Sequence, residues 1–185
     1  MRAAIKHLSL AAAALLAGCG GGGEITGTVT GLTATGLSLS NGFETIDVAK
    51  DATRFAFPTK VEDGSGYAVV VVTQPTGLRC TVSNGSGTVS GGLAPPTVTV
   101  TCVAAWSISG RVNGLSRSGL VLANGSEDIA IAANATSFAF ATQWPSGASY
   151  SVTVKTQPGL QRCTVSNGDG VVGQQAVSDV VVSCF

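Results

Sequence analysis

From Ile25 to the end of the chain, apolar and polar residues alternate with a period of two in short runs. This is the pattern of strands with one face on a core and one in solvent. The runs include Ile25-Thr26-Gly27-Thr28-Val29, Leu37-Ser38-Leu39, Ile46-Asp47-Val48 and Phe55-Ala56-Phe57. Leu120-Val121-Leu122, Ile129-Ala130-Ile131 and Phe138-Ala139-Phe140 continue the series. Beyond Cys19 no stretch presents a helical apolar stripe. Asn-Gly pairs begin at Asn41, Asn84, Asn124 and Asn167. They predict type I′ hairpin turns, because both residues tolerate positive φ.

The strand pattern occurs twice. A shift of 83 positions lays Gly27 on Gly110, Phe55 and Phe57 on Phe138 and Phe140, and Tyr67 on Tyr150. It also lays Gln74-Pro75 on Gln157-Pro158, and Arg79–Gly85 on Arg162–Gly168, where both copies read R-C-T-V-S-N-G. A single deletion then brings Cys102 onto Cys184. The chain is therefore an internal duplication. About seven short strands per copy, with turns at close spacing, predict an all-β chain of two tandem Ig-like β-sandwich domains. The expected boundaries are 24–102 for the first domain, 103–106 for a short linker and 107–185 for the second. Trp106, at the end of that linker, is expected to pack between the two.

The segment before the first domain has another character. Arg2 and Lys6 precede an apolar run, Leu8 to Leu16, that is too short to span a bilayer as a permanent helix. This is the layout of a helical secretory signal, assigned to residues 1–18. Its end, Leu16-Ala17-Gly18-Cys19, resembles the bacterial lipobox. That resemblance implies cleavage before Cys19 and attachment of acyl chains to it, each buried methylene contributing about 0.8 kcal/mol of membrane affinity. Gly20 in place of Asp after the cysteine implies, by resemblance to Gram-negative sorting signals, the outer membrane, with a periplasmic or surface-facing cargo. Residues 19–23 are then the lipidated cysteine and a glycine tether.

Cys19 is one of five cysteines. Cys80 and Cys102 share strand parity with core-facing valines, as do Cys163 and Cys184. Four cysteines admit three pairings, and the duplication selects Cys80–Cys102 and Cys163–Cys184. Each bridge closes a loop of about twenty residues and stabilises its domain by roughly 3 kcal/mol on the chain-entropy model. An oxidising compartment is required.

The run F-x-F, a turn, and G-x-Y-x-V-x-V is carried by Phe55–Phe57 with Tyr67–Val71 and by Phe138–Phe140 with Tyr150–Val154. It resembles the prealbumin-like sandwiches of carboxypeptidase-regulatory and collagen-adhesin B-type domains. The longer pattern, from Gln-Pro through C-T-V-x-N-G-x-G to the last cysteine, resembles a repeat of β-proteobacterial exported lipoproteins and surface proteins. The resemblance implies a structural or recognition domain and brings no catalytic set. The Lys–Asn isopeptide bond of the adhesin group has no place here, since Lys50 and Lys60 align with Ala133 and Gln143.

Composition narrows the chemistry further. Ten basic and ten acidic residues balance, and losing Arg2 and Lys6 with the signal leaves eight basic against ten acidic. No basic surface is available for nucleic acid. The single histidine, His7, lies in the signal, so the mature chain lacks the commonest general base and imidazole metal ligands. No cofactor, metal site or catalytic residue is expected. Glu62-Asp63 supplies too few oxygens for Ca²⁺. Glu44 with Glu127, and Arg79 with Arg162, match between copies and are expected as strand-face residues or partners in ion pairs.

Two features point to contact surfaces. Ala68, Val70 and Val72 face outward where the second copy has Ser151, Thr153 and Lys155. An apolar outer face is usually covered, and the sister domain is the expected cover. Trp144 stands on a loop, either as a binding anchor or as a cap on the sandwich end. The function expected is a non-enzymatic, lipid-anchored envelope module. It would be held to the membrane by its lipid and displayed at the outer membrane as a structural or recognition module, antigenic there, with a protein or glycan as partner. The alternatives are a periplasm-facing subunit docking on another envelope protein and, remotely, a carboxylate-dependent hydrolase.

Overall fold

The computed structural model describes residues 21–90 and 97–185. The signal, Cys19 and Gly20 lie outside the described residues. The first copy contains β1 (Thr26–Thr30), β2 (Leu37–Ser40), β3 (Thr45–Val48), β4 (Arg54–Ala56), β5 (Gly66–Ala68), β6 (Val70–Thr73), β7 (Leu78–Ser83), β8 (Ser86–Thr88) and β9 (Val98–Trp106). One sheet runs β4-β1-β9-β7. The other is β3-β2-β6, extended by the β5–β8 pair. Only Val69 separates β5 from β6. Between the sheets lie Ile25, Leu37, Leu39, Phe57, Val89, Val98 and Val100, all fully buried.

The second copy repeats this plan with β10 (Ile108–Asn113), β11 (Leu120–Asn124), β12 (Glu127–Ile131), β13 (Ser137–Ala139), β14 (Trp144–Pro145), β15 (Ser149–Thr156), β16 (Cys163–Ser166), β17 (Asp169–Val171) and β18 (Val177–Cys184). Its sheets are β13-β10-β18-β16 and β12-β11-β15-β17, and a second, separate core forms around Ile108, Leu120, Leu122, Val152 and Val180. Among the described residues every element is a strand. The fold class is all-β, as two sandwich-like units.

Each unit is closed by its first and last strands lying side by side. β1 pairs with β9 in parallel, Gly27 opposite Val98, and β10 pairs with β18 with Gly110 opposite Val180. The crossing is tight. A β-carbon on Gly27 would lie 2.4 Å from the Val98 carbonyl oxygen and 2.4 Å from the Phe55 ring, and at Gly110 the corresponding Val180 oxygen is 2.2 Å away. The phenylalanine of the neighbouring strand lies over the glycine and supplies the apolar cover that residue lacks. Phe55 and Phe57 meet edge to face, as do Phe138 and Phe140.

The disulfides sit beside this closure. Cys80 opposes Cys102 across β7 and β9, and Cys163 opposes Cys184 across β16 and β18; both pairs are bonded. β7 and β16 are edge strands, and their free edges are managed by a side chain. The Gln74 amide accepts from the Cys80 N–H at 2.7 Å and donates to its carbonyl at 3.0 Å. Gln157 does the same for Cys163 at 2.7 and 2.9 Å. The glutamine mimics one residue of an adjoining strand and satisfies both polar groups of a buried peptide. This is the physical content of the repeated Gln-Pro signature.

The Asn-Gly pairs do not form type I′ turns. At Asn41 and Asn124 the asparagine is fully buried, and only the following glycine has positive φ. Asn124 is the last residue of β11, and the two-residue turn is Gly125-Ser126. At Asn84 and Asn167 the pair is no hairpin at all. There the chain passes from one sheet to the other, β7 to β8 and β16 to β17. Asn84 and Asn167 take φ of 55°, and a β-carbon on Gly85 would meet the Val69 carbonyl oxygen at 2.6 Å. Asparagine thus supplies the left-handed bend, and glycine the close approach.

Val103–Trp106, expected as a linker, is the continuation of β9. Arg79 pairs with Val103 and Leu78 with Ala104, and Trp106 and Ala105 then pair with Trp144 and Pro145 of β14. The two units are joined by a strand that belongs to both. Gly23 pairs with Val61 at the corresponding place in the first unit.

Two outcomes follow for stability. Gly110→Ala forces a methyl group into the β10–β18 crossing and should cost about 1–3 kcal/mol, read as a lower urea midpoint. Tyr150 lies under the β15–β17 pair, its hydroxyl 2.7 Å from a β-carbon built on Gly170. Burial, then Asp179 and Asp169, raise its phenol above the ordinary value. The unfolded phenol ionises first, so stability is full below about pH 10 and falls as pH rises through that range. Wild type should therefore lose stability relative to Tyr150→Phe above that pH; parallel unfolding curves would overturn the assignment.

Candidate interaction surfaces

The β3-β2-β6 sheet turns an apolar strand face outward. Val69 and Tyr67 point into the core, while Val70 and Val72 are 52% and 59% exposed. The sister unit does not cover them, contrary to expectation. It meets the first unit elsewhere, along β9 and at the β6–β7 turn, where the Gly77 N–H donates to the Gln143 amide oxygen at 2.9 Å. The covering contact is excluded by topology: the second unit continues from the end of β9, a strand of the opposite sheet. In the second unit the equivalent face is polar, and Lys155 forms a salt bridge with Asp128.

Trp144 is placed by β14 and packs, half-buried, against the core of its own unit. Its indole N–H is buried without a partner. It closes the sandwich end and is not presented as a free anchor. Trp106, one strand away, also packs on this core and donates its indole N–H to Ser146 at 2.9 Å. Its expected place between the units is thus a place at the edge of the second one.

The charged candidates are used locally. Glu44 accepts from the Thr59 N–H and hydroxyl at 3.0 and 3.1 Å. Glu127 accepts from the Ala141 and Thr142 N–H groups at 2.7 and 3.1 Å. In both units this carboxylate ties the β2–β3 or β11–β12 hairpin to the loop after β4 or β13, a structural use of the oxygens a hydrolase would need. Arg79 and Arg162 are exposed on or beside edge strands, and neither forms an ion pair among the described residues. Glu62 and Asp63 lie exposed in the loop before β5. Among the described residues no group of His, Cys, Asp and Glu is arranged to hold a metal ion.

One feature escaped the sequence. At the end of the first unit, Phe43, Val61, Thr59, Lys60 and Glu62 surround a cavity of about 250 Å³, with buried Asn41 behind it. Phe43 is 68% exposed on its rim. The Asn41 oxygen accepts from the Phe43 and Glu44 N–H groups, both at 2.9 Å, while its amide NH₂ has no partner. The signal available in the sequence was a pair of substitutions between copies, Val61 for Trp144 and Phe43 for Ser126. Their spatial meeting was not.

No family model matches the sequence, and no curated protein matches it. Solved structures do. The pilus adhesin SpaC of Lactobacillus rhamnosus GG is similar at 14% identity and a TM-score of 0.31, over 83% of this chain and 28% of that one. The chain thus spans less than a third of the adhesin's length. The shaft pilin SpaA of the same organism is similar at 10% identity and a TM-score of 0.29, over 89% of this chain and 98% of that one.

Proposed function

We propose that this chain is a lipid-anchored, non-enzymatic module of the bacterial envelope, whose tandem sandwiches act as a structural or recognition element. The observation that carries the reading is the pair of disulfides, one at the same place in each unit. Such bridges form and persist in an oxidising compartment, the compartment to which the leader ending at Cys19 directs a chain. The carboxylates shared by the two copies hold loops, and the remaining distinctive surface is apolar. These are properties of a part that is held and contacted. The outer membrane, with the cargo in the periplasm or at the surface, follows from Gly20 after the lipid-bearing cysteine.

Incorporation of a clickable palmitate analogue in cells tests the anchor. The chain should take up label and partition into the membrane fraction, and Cys19→Ala should lose both. Undiminished labelling of Cys19→Ala would sink the proposal.

The exposure of Val70 and Val72 favours a second reading, in which the module is a subunit that docks on another envelope protein through this face. Val70→Thr with Val72→Lys, which copies the second unit, should leave the unfolding free energy within about 0.5 kcal/mol of wild type. It should also abolish recovery of the crosslinked partner from intact cells. Undiminished crosslinking to the same protein would remove the face from consideration.

A further inference from the structure

We propose that the cavity between Phe43 and Val61 is a binding site for an aromatic side chain, and specifically for the indole of a tryptophan on a protein partner. The duplication itself shows what the space holds when it is filled. In the second unit the far edge of the Trp144 indole lies over the β11–β12 turn, where a β-carbon on Gly125 would be 3.2 Å from the ring. In the first unit Val61 stands in place of that tryptophan, and a β-carbon on the equivalent Gly42 meets nothing within 4 Å. The cavity thus lies at the position in the first unit that corresponds to Trp144, and Val61 forms part of its wall.

The surroundings have changed to suit a ligand from outside. Ser126 of the filled site is replaced by Phe43, whose exposed ring extends the apolar wall beyond the surface. Pro145 is replaced by Glu62, which also lines the cavity. A carboxylate there offers an acceptor for an indole N–H, the group that finds no partner in Trp144. Lys60 on the rim adds a cation that can lie over the bound ring. A site made of an apolar wall, an acceptor and a cation favours tryptophan over an aliphatic side chain of similar size. Aromatic anchors seated in such pockets dominate the energetics of protein contacts. The inference deepens the recognition role proposed above and rests on it.

The test is titration of the isotope-labelled full chain with N-acetyl-tryptophanamide, followed by amide chemical shifts. Saturable shifts should appear at Gly42, Phe43, Lys60 and Val61, with a Kd of roughly 1 mM for one unanchored ring. N-acetyl-leucinamide should bind about tenfold more weakly. Val61→Trp should fill the space from within and abolish the shifts. Trp144→Val should open a second site, reported by Gly125. Should Val61→Trp fail to fold, Phe43→Ser decides: weakened binding supports the site, and unchanged binding overturns it. Absence of saturable shifts up to ~10 mM, or equal binding of the leucine amide, would also overturn it. Failure of palmitate incorporation at Cys19 leaves this result untouched, because the titration reads the cavity alone.

Discussion

Everything in this fold depends on the parallel contact between the first and last strands of each unit. β1 meets β9 and β10 meets β18 only because Gly27 and Gly110 leave room for a carbonyl oxygen on one side and a phenylalanine ring on the other. That contact joins residues about seventy positions apart, so it is costly in chain entropy and slow to find. The other devices cluster round it for that reason. The disulfide ties the last strand to its antiparallel neighbour, shortening the loop that must close. The glutamine clamp then satisfies the peptide of the same cysteine on the strand's far edge. A unit of this size buries too little apolar surface to rely on its core alone, and the closing strand is where extra restraint has most effect.

The strands were legible because burial on one face imposes a period of two that nothing else imitates. Leu37 and Leu39, or Phe138 and Phe140, announce their direction without knowledge of their neighbours. The cysteine pairs were legible for a different reason. A duplicated chain offers two independent statements of the same constraint, and only one pairing satisfies both. Asn-Gly was misleading because the dipeptide encodes conformational tolerance and not one turn. The fold uses it twice at a hairpin turn, with the asparagine buried, and twice to pass the chain between sheets. Periodicity likewise could not say that residues 103–106 are strand. Their partner is Trp144-Pro145, and a two-residue strand leaves no pattern of its own.

Val70 and Val72 could be placed outside from parity alone, but what covers them depends on the path of the chain after β9. Once that path is known, the sister unit is removed from the list. The cavity at Phe43 was invisible because its walls come from separate hairpins and loops, brought together by the hydrogen bonds of Glu44 to Thr59. The same carboxylate that drew attention as a candidate catalyst is what holds one wall of the cavity in place.

Comparison of the two copies separates the requirements of the fold from those of contact. Where they agree, at Gly27 and Gly110, Gln74 and Gln157, Glu44 and Glu127, each residue satisfies a backbone group or a close approach inside its own unit. Where they differ, at Val61 and Trp144, Phe43 and Ser126, Val72 and Lys155, the residues lie at the sandwich end or on the outer sheet face. The core does not need these differences, since both units close and bury equivalent residues with either set. Leu160 is the sharpest case. It keeps the left-handed backbone of Gly77, with φ of 60° against 75°, and is fully exposed, so it carries both a conformational cost and an apolar surface. Divergence that leaves the fold unchanged but places apolar groups in solvent is the mark of surfaces shaped by something outside the chain. In this protein such groups stand on both units, Phe43, Val70 and Val72 on the first and Leu160 on the second.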